Sequence, residues 1–360
     1  MDKINIHRVL IAPLDWGLGH ATRCIPIIRA FRDLQIEVVI AAEGSVAILL
    51  GEEFPEVRII PILGYQIQYA KTSAGLFWKL LLQVPKIIKT IRKENIWLQQ
   101  IIQEEKIDLV ISDNRYGLYS DQVPCIFITH QLTIKIPNEL IEKLLQKINY
   151  HYINRFTTCW VPDSEDERNI AGILSHPKKM PRIPVKYLGI LTRMMNKKNP
   201  IVNYHYCFLL SGPEPQRTLL ENQILKILPQ LSGIIILVRG LPGNLSSLEV
   251  SEKIKVFNHL SSDGLEAIIS SSNLIICRSG YTTIMDLIGL EKKALLIPTP
   301  KQTEQEYLGE KLQLDGLFFT SKQKDLNLLE AIVQADNFPA KFSNISKFST
   351  NVLEALLLEI

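Results

Sequence analysis

Residues 274–307, LIICRSGYTTIMDLIGLEKKALLIPTPKQTEQEY, contain two short apolar runs, each followed by a segment with helical spacing. The runs at residues 274–277 and 294–298 have the length and the Ile/Leu content of buried strands. Helical periodicity follows each of them, at residues 283–290 and 304–312. Strands that alternate with helices form βαβ units, so this stretch predicts a parallel sheet.

The same alternation continues over most of the chain. Strand-like runs are predicted at residues 8–14, 37–42, 108–112, 124–129, 158–162, 185–188, 206–210, 234–239 and 255–257. Helical segments are predicted between them at residues 22–32, 45–51, 137–153, 165–174, 216–228 and 264–270. A polar run with a proline, residues 194–200, interrupts the pattern and is typical of an exposed linker.

These elements predict an α/β protein with two Rossmann-like parallel-sheet domains that face a central cleft. We expect an N-terminal domain over residues 1–193, a linker over 194–203 and a C-terminal domain over 204–342. A last helix within residues 343–360 is expected to pack back on the N-terminal domain. Ligands of open α/β sheets bind beyond the carboxyl ends of the strands, so we expect the site in the loops that follow them.

Composition and the amino terminus argue against nucleic-acid binding, disulfide bonds and export. The 360 residues include 40 basic and 37 acidic side chains, for a formal net charge of +3. Nucleic-acid binding is not expected, because no dense basic cluster carries interleaved aromatic residues. The five isolated cysteines lie mostly in apolar runs, which indicates buried thiols in a reducing compartment. The amino terminus has too short an apolar run for a signal peptide, so a cytoplasmic protein is expected.

Residues 76–102 form the most hydrophobic long stretch. Five cations interrupt it: Lys79, Lys86, Lys89, Arg92 and Lys93. It is therefore not a bilayer span, and its spacing predicts an amphipathic helix. Two interpretations stay open: the apolar face packs on the domain's own sheet with the lysines in water, or it makes a peripheral contact with an anionic membrane at the inner face.

The loop after the first strand carries Gly17 and Gly19 before His20. Glycines let the backbone approach a ligand, and the start of the following helix offers unpaired N–H groups and the positive end of its dipole. His20 is a candidate general base or anion-stabilising donor. A tight βα turn with a structural histidine is the alternative.

Polar side chains also follow two other strands of the first half. Asp113, Asn114 and Arg115 come after the third predicted strand, and His130 and Gln131 come after the fourth. Acids, bases and amides at the ends of buried strands are typical of a functional site, so Asp113 and His130 are further candidate bases. The candidate acceptor-side residues are Gly17, Gly19, Asn114, Arg115 and Gln131. Loop hydrogen bonds or helix capping would explain either cluster alone.

The first loop of the second half presents Ser211 and Gly212, and the helix after it begins near Glu214 and Arg217. Ser, Gly and the amides of a helix start can cradle a phosphate, and Arg217 can neutralise it. Two prolines in the loop remove backbone donors, so this cradle is leaner than a glycine-rich phosphate loop. A plain helix start with proline in its first turn is the alternative.

Three polar features converge in residues 274–307. The residues concerned are Ser279, Gly280, Thr282, Asp286, Gln305 and Glu306. The amides of the helix that begins after the Arg-Ser-Gly sequence can face a phosphate, while the carboxylate of Asp286, about one turn further on, suits a ribose diol. The next strand delivers Gln305 and Glu306 to the same edge. A solvated helix start is the alternative.

These motifs resemble those of family 28 glycosyltransferases of the GT-B fold, including the N-acetylglucosaminyltransferase of peptidoglycan synthesis. Residues 277–280, CRSG, match a stretch of that family, and Asp286 takes the position of the acid that holds the ribose. Gln305 and Glu306 take the positions of a Gln-Gln pair that contacts the sugar. The loop that ends in His20 resembles the family's glycine loop and its essential histidine.

The resemblance also implies roles for other residues. His130 and Gln131 fall where the family has a Glu-Gln pair, Leu260 falls where the backbone holds uracil, and Arg193 matches an arginine near the donor phosphate. Together these imply a hexosyl or N-acetylhexosaminyl transferase that uses a UDP-linked donor, with no cofactor and no bound metal. Residues 211–214 replace the family's glycine-rich phosphate loop, and residues 113–115 differ from its glycine-rich acceptor loop. The resemblance therefore does not identify the acceptor, although a lipid-linked one would fit the family.

Three other functional classes are alternatives to a transferase. A nucleotide-sugar hydrolase or epimerase, or a non-catalytic sugar-nucleotide sensor, would use the same fold, because fold does not fix the reaction. An NAD-dependent oxidoreductase would use Gly17 and Gly19 with Glu43 on a ribose, but Thr22 occupies its third glycine position. That interpretation also leaves residues 274–307 unexplained.

Overall fold

The computed structural model describes residues 6–64, 73–136, 138–195, 203–241, 243, 246, 248, 251–324 and 326–360, with the backbone alone for 73–84. The chain divides into two compact units. Unit 1 comprises Met1–Arg193 together with Ile345–Ile360, and unit 2 comprises Met194–Asn344. Each unit has one parallel sheet, so the prediction of two parallel-sheet α/β domains is confirmed. Most of the predicted linker, residues 196–202, lies outside the described residues.

Unit 1 has a seven-stranded sheet in the order β3-β2-β1-β4-β5-β6-β7. Its strands are β1 (Arg8–Pro13), β2 (Glu37–Ala41), β3 (Arg58–Ile60), β4 (Leu109–Asp113), β5 (Cys125–Ile128), β6 (Thr158–Val161) and β7 (Val185–Tyr187). Its helices up to Arg193 are α1 (Leu18–Asp33), α2 (Gly44–Glu53), α3 (Ser73–Glu104) and α4 (Glu139–Ile153). The chain moves outward from β1 in both directions, so β1 and β4 flank the point at which the strand order reverses.

Unit 2 has a six-stranded sheet in the order β10-β9-β8-β11-β12-β13. Its strands are β8 (Tyr204–Leu209), β9 (Ile235–Val238), β10 (Ile254–Phe257), β11 (Ser272–Cys277), β12 (Ala294–Leu296) and β13 (Phe319–Thr320). Its helices are α5 (Gln216–Ile227), α6 (Ser262–Ser270), α7 (Tyr281–Gly289), α8 (Thr303–Leu314) and α9 (Leu328–Asp336). Here β8 and β11 flank the reversal of strand order.

The central strands are buried on both faces, as expected of a parallel sheet covered by helices. In unit 1 every residue of β4 and β5 is buried, and in unit 2 the same holds for β9. All five cysteines are buried free thiols. Among the described residues, no helix combines the length and the hydrophobicity needed to cross a bilayer.

The chain returns to unit 1 at its end, where α10 (Thr350–Leu357) follows a short extended segment. The amide of Phe348 donates to the carbonyl of Ile190 at 3.1 Å, and the amide of Ser346 donates to Oγ of Ser164 at 3.1 Å. Gly189 has φ +76°, and a Cβ atom there would lie 2.8 Å from the carbonyl oxygen of Ser346. Only glycine permits this close approach of the two segments.

One predicted helix is absent. Residues 165–174 form a loop that ends in a single 3-10 turn, Gly172–Leu174. The buried carboxylate of Asp163 accepts hydrogen bonds from the amides of Ile170 and Ala171, at 2.8 and 2.9 Å, and from Oγ of Ser175 at 2.7 Å. The prediction was wrong because these bonds fold the segment around one side chain and compete with helical hydrogen bonds.

Candidate functional site

The candidate bases of unit 1 lie at adjacent strand ends. β1 leads into the glycine loop and α1, β4 ends at Asp113, and β5 leads to His130. The structure brings together His20, Asp113 and His130 with a fourth side chain, Arg23, which lies one turn after His20 on α1. We call these four residues the His20 cluster. Parallel strands that end side by side explain why segments distant in sequence meet here.

Asp113 is the centre of the His20 cluster and is completely buried. Its two carboxylate oxygens both lie 3.3 Å from Nδ1 of His20. Arg23 binds the same carboxylate in a bidentate manner, with Nε 2.7 Å from Oδ2 and Nη2 in contact with Oδ1. Burial alone would raise the pKa of Asp113, but the charge of Arg23 and the interaction with His20 lower this pKa to about 2. The carboxyl group is therefore an anion throughout the neutral range.

His20 remains partly accessible, since one fifth of its side chain is exposed. Burial and the neighbouring Arg23 charge lower the pKa of His20, and the Asp113 carboxylate only partly offsets this. The imidazole is thus neutral at neutral pH, as a general base must be. An accessible neutral histidine beside a buried carboxylate can accept a proton and have the resulting charge stabilised.

The glycine loop gives this histidine its position at the start of a helix. Gly17 precedes the first residue of α1 with φ +135°, a conformation that favours glycine. Gly19 lies in the first turn, where its carbonyl accepts from Oγ1 of Thr22 at 3.0 Å. Gln131 follows His130, and its Nε2 lies 3.4 Å from Nε2 of that histidine.

Two predicted acceptor-side residues, Arg115 and Asn114, form hydrogen bonds with other parts of unit 1. Arg115 is completely buried; its Nη1 lies 2.7 Å from Oε1 of Glu94 on α3, and its Nε donates to the carbonyl of Pro13 at 2.8 Å. Asn114 has φ +57°, and its amide donates to the carbonyl of Ile128 at 3.2 Å. Both residues fix the shape of the loop after β4.

Donor-side residues of unit 2 converge on the ends of β8, β11 and β12. Oγ of Ser279 donates to the carbonyl of Gln305 at 2.8 Å, and Oε1 of Gln305 accepts from the amide of Thr299 at 2.8 Å. Gly212 has φ +101°, and a Cβ atom at this position would lie 3.6 Å from Oγ1 of Thr299. The structure therefore brings Gly212, Ser279 and Gln305 together around Thr299.

Thr299 carries a buried polar atom that is available to a ligand. Its side chain is 4% exposed, and Oγ1 has no hydrogen-bond partner among the described residues. A buried hydroxyl without a partner costs free energy, so a water molecule or a bound group is expected to pair with it. Near it, α7 begins after Gly280, which has no side chain to cap the helix. Helix amides and a free hydroxyl are suitable donors to an anion.

The other donor-side candidates are buried or half-buried, or form hydrogen bonds within the protein. Asp286, on α7, is 2% exposed and engages another group of the chain. Thr282 is half-buried in the first turn of that helix, and Leu260 is half-buried before α6. Oε1 of Glu306 accepts from the amide of Lys301 at 3.0 Å. The carbonyl of Arg193, at the end of the first part of unit 1, accepts from Nη1 of Arg29 at 2.7 Å.

Arg217 is buried and belongs to an ion network that includes the exposed Glu214. Its Nε lies 2.6 Å from Oε1 of Glu214, and its Nη1 lies 3.1 Å from Oε2 of Glu221, which also pairs with Arg239 at 2.6 Å. This network joins the loop containing Ser211 to β9. Because two carboxylates already compensate its charge, Arg217 has little positive charge to offer a phosphate. Within the described part of the chain, no three His, Cys, Asp or Glu side chains are grouped as metal ligands.

Residues 209–354 match the family model described as the glycosyltransferase family 28 C-terminal domain. This part of the chain is therefore similar to the C-terminal domain of family 28 glycosyltransferases. The matched segment holds every donor-side candidate except Arg193, and the predicted enzyme class, a glycosyltransferase, is confirmed. A comparison with curated proteins gave no significant match.

Solved structures show that the whole chain has the GT-B fold of glycosyltransferases. SnogD from Streptomyces nogalater is 14% identical, with a TM-score of 0.62, over 98% of this chain and 100% of its own. MurG from Acinetobacter baumannii is 13% identical, with a TM-score of 0.58, over 99% and 100%. SsfS6 from Streptomyces sp. SF2575, solved with thymidine diphosphate, is 13% identical, with a TM-score of 0.61, over 98% and 96%.

Sequence reasoning missed three residues of this glycosyltransferase that shape its candidate site: Arg23, Thr299 and Arg278. Arg278 is completely buried; its Nη1 donates to Oε1 of Gln323 at 2.7 Å, and its Nη2 donates to the carbonyl of Gln216 at 2.8 Å. Burial lowers the pKa of Arg278 to about 10, so it stays charged. It ties the end of β11 to α5. The signal for Arg23 was its helical spacing from His20, since residues three apart share a helix face.

Proposed function

We propose that this glycosyltransferase moves a sugar from a nucleoside-diphosphate donor, bound by unit 2, to a hydroxyl group of an acceptor bound by unit 1. The observation that carries the proposal is the His20 cluster, in which a partly exposed, neutral histidine lies beside a buried carboxylate. In this reaction His20 takes the proton of the acceptor hydroxyl. The oxygen then attacks the anomeric carbon, whose bond to the diphosphate oxygen breaks, and the diphosphate leaves. Asp113 stabilises the imidazolium.

The donor site is proposed to lie around Thr299. The amides at the start of α7 and Oγ1 of Thr299 can donate to the oxygens of the departing diphosphate. Arg193 is a candidate for a further positive charge, and Asp286 for the ribose. With these donors the diphosphate is stabilised without a metal ion. Gln305 and Glu306 are proposed to contact the sugar.

The nucleotide is proposed to be a uridine diphosphate. Leu260 and Asp286, at positions that in family 28 serve uracil and ribose, support this choice. SsfS6 was solved with thymidine diphosphate, which makes a thymidine nucleotide the alternative. Both bases are pyrimidines, so one backbone contact would serve either.

The acceptor is proposed to be lipid-linked, with α3 as a peripheral contact to the membrane. Outward-facing cations on this helix, at Lys86, Lys89, Arg92 and Lys93, are exposed. Exposed Ile88 and Ile96 lie on the same helix, while Ile91 and Leu98 are buried in unit 1. Cations that flank exposed apolar side chains suit an anionic lipid surface. The side chain of Lys79 lies outside the described residues.

The proposal is tested by incubating the purified full chain with UDP-sugars and TDP-sugars and measuring nucleoside-diphosphate release, with and without candidate acceptors. Lipid-linked and soluble hydroxyl compounds form the two acceptor groups, and a chelator is added in a parallel series. Acceptor-dependent release that survives the chelator is expected. Release at the same rate without acceptor would identify a hydrolase instead, and no release with any donor would overturn the proposal.

A further inference from the structure

Arg23 contacts all three other members of the His20 cluster. Its side chain is 3% exposed, and Nε and Nη2 occupy the two oxygens of Asp113. The same Nη2 lies 2.8 Å from Nδ1 of His20, and Nη1 lies 3.1 Å from Nδ1 of His130. One buried cation therefore links both histidines to a single carboxylate.

The contact between Arg23 and His20 determines which imidazole nitrogen carries the proton. A guanidinium group stays protonated in proteins and only donates hydrogen bonds. At a distance of 2.8 Å, Nδ1 of His20 must therefore be the acceptor. A neutral imidazole has one N–H, which then lies on Nε2. In this tautomer Nε2 has no lone pair with which to take a proton from a hydroxyl group.

Asp113 offers Nδ1 of His20 the opposite partner. Both carboxylate oxygens lie 3.3 Å from this nitrogen, and a carboxylate only accepts hydrogen bonds. When Nδ1 carries the proton and donates to Asp113, Nε2 has a free lone pair and can act as a base. The two arrangements differ by the partner of Nδ1 and by the ring nitrogen that holds the proton. Because His20 is partly exposed, water can move the proton between the nitrogens.

An acceptor hydroxyl would select between these arrangements. A hydroxyl that donates to Nε2 pairs with the lone pair that exists only when the proton is on Nδ1. Binding of the acceptor therefore favours the arrangement in which Nδ1 faces Asp113, by the ordinary coupling of a ligand to the state that it binds. Without acceptor, the shorter contact with Arg23 is retained.

We propose that Arg23 is a positioning residue that holds His20 in the tautomer protonated on Nε2, and that Nδ1 changes partner from Arg23 to Asp113 when the acceptor hydroxyl binds. The inference rests on the proposed function, in which His20 is the base. In the free enzyme, Arg23 thus keeps His20 from acting as a base towards water. The proton taken from the acceptor then resides on Nε2, with Nδ1–H donating to Asp113.

The tautomer can be measured without any substrate. Nitrogen NMR of the full chain with labelled histidines, at about pH 8 where histidines are neutral, distinguishes N–H at Nε2 from N–H at Nδ1. The His20 signal is assigned by its loss in His20→Asn. The proton is expected on Nε2 in the wild type and on Nδ1 in Arg23→Gln. Arg32→Gln is the control, because Arg32 lies on the same helix but pairs with Glu56 at 2.8 Å; it should keep the wild-type tautomer.

A proton on Nδ1 in the wild type would overturn the inference, and this outcome does not depend on whether Arg23→Gln folds. Arg23→Lys provides a second variant, since its ammonium group also only donates and should keep the proton on Nε2 if it reaches His20. The measurement needs neither donor nor turnover. A failure of the transfer assay with the expected tautomer would therefore count against the proposed function alone.

Discussion

Nη1 of Arg115 lies 2.7 Å from Oε1 of Glu94, and the two side chains are 0% and 1% exposed. The pair joins the loop after β4 to the long helix α3, and Oε2 of Glu94 also accepts from the amide of Gly117 at 3.2 Å. The charges of such a pair depend on each other, because Glu94 is the nearer of two carboxylates beside Arg115; Oδ1 of Asp15 lies 3.9 Å from Nη2. Arg115 thus serves the structure of the loop that presents Asp113.

Glu94→Ala is expected to lower the free energy of unfolding of unit 1 by about 3 kcal/mol, since it leaves a buried guanidinium with only the more distant carboxylate of Asp15. Chemical denaturation of the full chain measures the loss. Glu105→Ala is the control, because Glu105 pairs with the exposed Arg58 and should cost less than about 1 kcal/mol. Equal effects of the two variants would show that the buried pair is not important for stability.

Thr299→Val is expected to affect ligand binding and stability in opposite ways. The free protein loses a buried hydroxyl that has no hydrogen-bond partner among the described residues, so its stability should stay equal or rise. Nucleoside-diphosphate affinity should fall by about 1 kcal/mol, the contribution of one hydrogen bond. Calorimetry with UDP and TDP, together with thermal unfolding, measures both. Thr158→Val is the matched control: its hydroxyl donates to the carbonyl of Pro184 at 3.0 Å, so it should lose stability and keep affinity.

Asp286→Ala is expected to weaken nucleoside-diphosphate binding by roughly 1.5 to 3 kcal/mol, because the ribose diol loses charge-assisted hydrogen bonds. Titration calorimetry with UDP decides the matter, provided that circular dichroism shows a folded variant. Asp315→Ala, at the end of α8 and paired with Lys311, serves as the control and should bind normally. Unchanged affinity in a folded Asp286→Ala would remove the ribose assignment and leave a structural role for this buried residue.

The peripheral contact of α3 is tested by co-sedimentation with vesicles. Binding to anionic vesicles that weakens with salt is expected, with little binding to neutral vesicles, because the exposed cations on this helix interact with anionic headgroups. The triple variant Lys86→Glu, Lys89→Glu, Lys93→Glu should lose the binding. Lys178→Glu with Lys179→Glu, in an exposed loop of the same unit, is the comparison. A triple variant that binds like the wild type would point to a soluble acceptor.

The sequence allowed the loops of the site to be located, because parallel strands have recognisable apolar runs and their ends coincide at one edge of a sheet. His20, Asp113 and His130 meet for this reason. The sequence did not reveal which hydrogen-bond or ion-pair partner each polar side chain has. The pairing of Arg115 with Glu94 joins residues 21 positions apart on different elements, and no local periodicity encodes it.

Asp163 illustrates the same limit for secondary structure. Residues 165–174 have a helical pattern of apolar residues. The buried carboxylate of Asp163, just before them, instead accepts hydrogen bonds from two of their amides. Whether an aspartate is buried depends on tertiary packing, which local propensity does not include. Arg23 was nearer to prediction, since its position three residues after His20 places both on one face of α1. Its bond to Asp113 still required the register of β1 and β4.

The pH dependence of transfer gives the last prediction. Burial and Arg23 lower the pKa of His20 below the ordinary value of about 6.5. A general base acts in its neutral form, so activity should fall as the pH drops through the pKa of His20. Because this pKa is lowered, activity should persist at pH values below about 6.5. Asp113→Asn removes the carboxylate that raises this pKa, so it should move the acidic limb of kcat/KM to still lower pH while reducing turnover.

His20→Ala should lower turnover about a hundredfold, with nucleotide affinity nearly unchanged, because the base acts in the transition state. Arg32→Gln should keep the wild-type profile. Assays of kcat/KM over about pH 4 to 8 measure the limb. An acidic limb centred above pH 6.5, or one that persists in His20→Ala, would mean that another group takes the proton.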